Sequence, residues 1–137
     1  MRRGKRLGER ARTLDAQHLR KLADEASPEA AESFSADYVT LLPRFVERIV
    51  GTVAALDRDL VLDAARSLKT KSWLVGALRM NQLCSELELA LADWAVATDV
   101  ARDIERQLPH LQKALADVAH LTHPSRRAGT VQNAMAS

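Results

Sequence analysis

An all-α fold is predicted by three features of this 137-residue sequence. Alanine and leucine supply 23 and 20 residues, and with Arg, Glu and Lys they are the types that lose least on entering a helix. Aromatic residues number only five. Between Arg10 and Ala128 the only glycines are Gly51 and Gly76, too few turn formers for a β-sandwich or barrel. At 47% hydrophobic the chain can still bury a core, and its length allows one domain.

The first helix follows from Leu14, Leu19, Leu22 and Ala26, with Asp15 expected in its first turn, where a negative charge suits the helix dipole. It is expected to end near Ser27-Pro28, an N-cap followed by a good first residue for the next helix. The second helix shows Phe34, Tyr38, Leu41, Phe45, Ile49, Val53 and Leu56 at steps of three and four. Pro43 falls inside that stripe, so a kink is expected there and not a break. Asp57-Arg58-Asp59 reads as the cap before a third helix over about 60–75, with Val61 or Leu62, Ala65, Leu68 and Ser72 inward and Gly76 as its C-terminal stop. A fourth helix carries Met80, Leu83, Cys84, Leu87, Leu91 and Trp94. A fifth carries Ala97, Val100, Ile104, Leu108, Leu111, Leu115 and Val118, with a kink at Pro109. Four long helices with short connections predict an antiparallel bundle with one short extra N-terminal helix. Three segments are expected: a flexible basic arm over 1–12, the bundle over 13–122, and a disordered tail over 123–137.

Composition also limits function. The lone Cys84 can form neither an intramolecular disulfide nor a cysteine-rich zinc site. No apolar run approaches a bilayer span, and the basic N-terminus has no apolar stretch behind it, so a cytoplasmic protein is expected. The pI near 9.0 belongs to the ends. Residues 1–21 carry eight basic and two acidic side chains, whereas 22–123 carry ten and sixteen. An acidic body between basic ends argues against a nucleic-acid-binding surface on the domain.

One stretch is more specific. Ala65, Leu68, Lys69, Ser72, Gly76 and Ala77, followed by Leu83, Cys84, Leu87 and Glu88, resemble the signature of histidine-containing phosphotransfer (HPt) domains. In that family one helix reads Ala-His-x-Leu-Lys-Gly-x-Ser, then Leu-Gly-Ala, and the next reads Leu-Cys-x-x-Leu-Glu. The resemblance runs more weakly from Leu14 to about Leu121 and implies an HPt-like four-helix bundle in two-component phosphorelay signalling. Two departures stand inside it. The family's phosphorylated histidine falls at Arg66, and the glycine four residues on falls at Thr70. An imidazole can carry and pass on a phosphoryl group, whereas a guanidinium is always protonated and a poor nucleophile. Thr70, one turn away, adds a β-branched side chain where glycine leaves space.

The resemblance therefore implies a degenerate member, a pseudo-phosphotransfer protein with no catalytic residue, cofactor or metal. Arg66, Lys69, Thr70 and Trp73 fall on one stripe of the third helix, and with Lys71 and Arg79 they make the sequence from Asp63 to Glu86 free of internal acids. In the family this face docks on a receiver domain, whose phosphoacceptor pocket is a cluster of aspartates. The expected partner is such a receiver or a histidine kinase, with the protein monomeric, against the alternative of a solvated basic face with Trp73 folded onto its own helix. A second alternative is an interaction bundle outside phosphorelay whose arm, Arg2 to Arg12, contacts nucleic acid or an acidic partner; a third is phosphotransfer through another histidine. His18, His110, His120 and His123 lack the Leu-Lys-Gly context and read as surface residues, and no carboxylate or thiol completes a metal site at His120-x-x-His123. Ser67 points about 100° away from Arg66. Cys84, Trp94 and the Phe34, Tyr38, Phe45 row are expected in the core, and Glu86 and Glu88 to face solvent or pair locally.

Overall fold

The structure, a computed structural model, describes residues 9–122. It has five helices: α1 (Gln17–Glu25), α2 (Pro28–Ala54), α3 (Arg58–Val75), α4 (Leu78–Leu89) and α5 (Trp94–Thr122). Among the described residues there is no strand, and the all-α class is as expected. α2, α3, α4 and α5 close a bundle in which α3 packs on α2 and α4 while α5 packs on α4 and α2; α1 lies across α2 and α3. At 1.5 Å per residue α2 and α5 are roughly 40 Å long and α3 roughly 27 Å, so the two long helices outreach α3. No helix among the described residues is long and apolar enough to cross a membrane.

Local chemistry sets the helix ends. Ser27 Oγ accepts the Ala30 N–H at 2.9 Å with Pro28 at the first helical position. Asp57 Oδ1 accepts the Leu60 N–H at 3.1 Å and starts α3 two residues before the expected Leu60. Gly76 ends it in the left-handed region at φ +81°, and the Ala77 N–H turns back to the Ser72 carbonyl at 2.8 Å. Asp15 lies outside α1, which starts at Gln17 and not at Leu14; its carboxylate accepts the Gln17 N–H at 3.0 Å instead of sitting in the first turn. α4 stops at Leu89, and Trp94 opens α5 instead of closing α4. Leu91 remains buried in the turn between them.

Leu42, Ile49, Leu68, Met80, Leu83, Leu87, Ile104 and Leu111 are fully buried, each contributing about 2 kcal/mol by burial. Two expectations for α2 change. Leu42 and Val46 are buried while Leu41 is exposed, because from Tyr38 a step of four brings the chain to the core and a step of three does not. Leu56 lies beyond the helix, exposed, in the turn at φ +56°. Pro43 and Pro109 both lie within continuous helices and both face solvent, where water can take the carbonyls that lose an amide partner.

The arm expected over 1–12 is described only from Glu9. There the Ala11 N–H donates to Gln82 Oε1 at 2.8 Å, and Gln82 Nε2 donates to the Glu9 carbonyl at 2.6 Å. Gln107 of α5 reaches Thr13 Oγ1 at 3.4 Å. The Asp15 N–H donates to the Gly76 carbonyl at 2.8 Å, so this segment runs over α4 and fastens at the α3–α4 turn. The rest of the arm, the tail over 123–137 with His123, and the side chain of His120 lie outside the described residues.

Candidate docking face

Helical spacing brings Arg66, Lys69, Thr70 and Trp73 to one stripe of α3. Arg66, Thr70 and Trp73 are exposed and Lys69 is half-buried. The Arg66 side chain keeps 66% of its surface open to solvent. Sequence spacing shows no acid near these cations, but the fold places one there. Antiparallel packing of α4 on α3 brings Glu88 up to the stripe, where Oε2 accepts from Arg66 Nε at 3.2 Å and Oε1 from Lys69 Nζ at 2.5 Å. Asn81 Nδ2 of α4 bonds the Lys69 carbonyl at 3.0 Å and fixes the same helix pair. The stripe thus carries two cations bridged by one carboxylate.

Trp73 is 54% exposed and does not rest on its own helix alone. His18 of α1 also holds it: Nδ1 donates to the Trp73 carbonyl at 3.0 Å, and the two rings meet edge to face, centroids 4.5 Å apart. His18 is therefore an α1–α3 contact, beyond the surface histidine that its sequence context suggests. An open cleft of about 370 Å³ separates α1 from the end of α3, bounded by Asp15, His18, Lys21, Glu25 and Trp73.

Two expected members do not join the face. Lys71 turns to the α2 side, where Nζ donates to Ser67 Oγ at 3.0 Å and lies 5.6 Å above the Phe45 ring. Arg79 is buried, with Nη1 bonded to Gln82 Oε1 at 2.7 Å and 3.5 Å from Glu86 Oε2. Glu86 is buried with it and does not face solvent. The segment from Glu9 bonds Gln82, the residue that Arg79 also reaches, on a side of α4 that sequence periodicity leaves open.

Tyr38 and Ser72 are buried and share a 2.7 Å hydrogen bond between α2 and α3. Burial pushes the Tyr38 phenol and the Cys84 thiol well above their ordinary values; Glu88 pushes the thiol in the same direction and Lys69 opposes it. Cys84 is therefore held protonated and closed to solvent, the opposite of a reactive thiol. Among the described residues no group of three or more His, Cys, Asp or Glu side chains could hold a metal ion. His110 is exposed on α5. The exposed guanidinium of Arg66 can bind an anion in a planar, two-pronged manner and, always protonated, is a poor nucleophile at neutral pH.

No family model matches this chain, and no curated protein sequence does. Among solved structures, it is similar to the HPT domain of a sensor hybrid histidine kinase from Shewanella. Identity is 22%, the TM-score is 0.65, and the match covers 77% of this chain and 92% of that one. The HPt-like helical bundle expected from the motif is the fold observed.

Proposed function

We propose that this chain is a phosphorelay signalling protein that docks a response-regulator receiver domain or a histidine kinase through the Arg66 face and carries no phosphate itself. One observation supports this reading above the others. Arg66 stands exposed in the middle of α3, where the motif of the HPt family has its phosphorylated histidine, on a bundle of that fold. A guanidinium at this place fits an acidic pocket and offers no nucleophile to a phosphoryl group. Trp73, exposed two turns away and braced by His18, adds the kind of anchor enriched at binding hot spots. The protein acts as a monomeric cytoplasmic competitor or scaffold in signal flow, with no cofactor.

Two measurements test it. Phosphorylated receiver domains from the same organism are incubated with the chain and the label followed; label stably transferred to the chain overturns the pseudo-phosphotransfer reading. Pulldown with receivers and kinases is then compared between wild type, Arg66→Glu and Trp73→Ala. Each substitution is expected to weaken capture by about tenfold or more, and capture unchanged by either overturns the docking reading.

A further inference from the structure

Resting on the reading of the Arg66 face as the docking surface, we infer that Glu88 sets how that face presents itself: it orients the Arg66 guanidinium toward the partner and tempers the attraction. Arginine offers five N–H donors, one on Nε and two on each Nη. Glu88 takes the Nε edge of Arg66 and leaves both Nη groups without a partner among the described residues. Those four N–H bonds belong to a side chain that is two-thirds exposed, whereas the Glu88 side chain is only 17% exposed. A carboxylate or phosphoryl oxygen of the partner therefore meets the Nη edge while Glu88 keeps the other, and docking does not require the intramolecular pair to break.

Two consequences follow from this division. Anchoring at Nε, together with the second Glu88 oxygen on Lys69, removes rotamer freedom that an unanchored arginine would lose on binding. The carboxylate also places a negative charge behind the contact, cancelling one of the two cations and repelling the incoming anion. Sequence alone does not show this, because Glu88 is 22 residues from Arg66 along the chain.

Glu88→Gln and Glu88→Ala separate the two effects, measured in the full chain against a receiver domain captured by the wild type. Glutamine keeps a carbonyl acceptor for the cations and removes the charge. It is expected to tighten binding about two- to fivefold, the value of one partly exposed charge pair, with a steeper loss of affinity as salt rises. Alanine removes charge and anchor together and is expected to bind more weakly than the glutamine variant. Equal or weaker binding by Glu88→Gln than by wild type overturns the inference, as does an alanine variant equal to or better than glutamine. The docking reading survives those results if Arg66→Glu still abolishes binding. If no receiver binds, or Arg66→Glu leaves binding unchanged, both fall together. Circular dichroism melts of the two variants check that each is folded, a property that a merely structural Glu88 would lower without ever raising affinity.

Discussion

Replacing Gly76 with alanine concentrates several costs at one atom. A Cβ built there collides with the Asp15 carbonyl oxygen and lies 3.0 Å from its carbon and 3.1 Å from His18 Cβ. The first of these is backbone, so no rotamer change relieves it. The residue also holds φ at +81°, which costs an L-residue about 1 kcal/mol or more. Moving Asp15 away stretches its N–H bond to the Gly76 carbonyl, now 2.8 Å, a loss of about 1 kcal/mol. Displacing packed backbone adds about 1–3 kcal/mol. The sum is about 4 kcal/mol, a large share of the stability of a small domain. It corresponds to a fall in Tm of about 15 °C at about 4 °C per kcal/mol. Gly51→Ala is the internal control. Gly51 lies inside α2 with nothing within 4 Å of its Cβ position, so alanine there should stabilise by about 0.5–1 kcal/mol. Urea titrations followed by far-UV circular dichroism measure both variants. A Gly76→Ala loss under about 1 kcal/mol, or a Gly51→Ala loss of any size, refutes the reasoning.

Tyr38→Phe and Ser72→Ala each orphan one partner of a buried 2.7 Å hydrogen bond and should each cost about 1–2 kcal/mol. The double variant should cost less than the two added together by about 1 kcal/mol in a urea cycle; strict additivity would count against the bond. Leu56 pays for its positive φ of 56° without burying its side chain, so Leu56→Asn should raise the urea midpoint, and a lowered midpoint would show that the leucine makes a contact worth more than the strain. The Tyr38 phenol and Cys84 thiol are raised above their ordinary values of 10.0 and 9.0. The folded state therefore keeps protons that the unfolded chain gives up, so stability is complete below about pH 9 and falls above it, by about 1 kcal/mol or more at pH 10. A urea midpoint that stays flat to pH 10.5 contradicts this.

What sequence shows and what it hides divides along one physical line. Ser27-Pro28, Asp57 and Gly76 were readable because a cap depends on residues one to four positions away. The α3 stripe of Arg66, Lys69, Thr70 and Trp73 was readable for the same reason, since helical spacing determines it. Glu88 beside Arg66, the segment from Glu9 on α4 and His18 under Trp73 were not, because each joins residues far apart in the chain. Arg79 shows the limit sharply. Its charge argues for the surface, yet Gln82 and Glu86 satisfy it inside, and nothing in its own helix announces that the chain's N-terminal segment passes nearby. Leu41 and Leu42 mark a finer limit, where neighbouring residues fit the same stripe nearly equally well and the packing of α2 decides between them.

α1 buries none of its residues completely. The Asp15 bond to Gly76 and the His18 contact to Trp73 fasten it to α3, and Leu19 packs only partly buried against the core. Its free energy of local opening should accordingly lie well below that of the bundle, so amide exchange in α1 would proceed while the α2–α5 core remains protected. When α1 opens, Trp73 loses the ring that braces it and the proposed docking face loses the edge of its cleft. Trp73 and the shortest described helix thus share one local equilibrium: whatever clamps α1 also orders Trp73, and whatever holds Trp73 in its braced position slows exchange in α1.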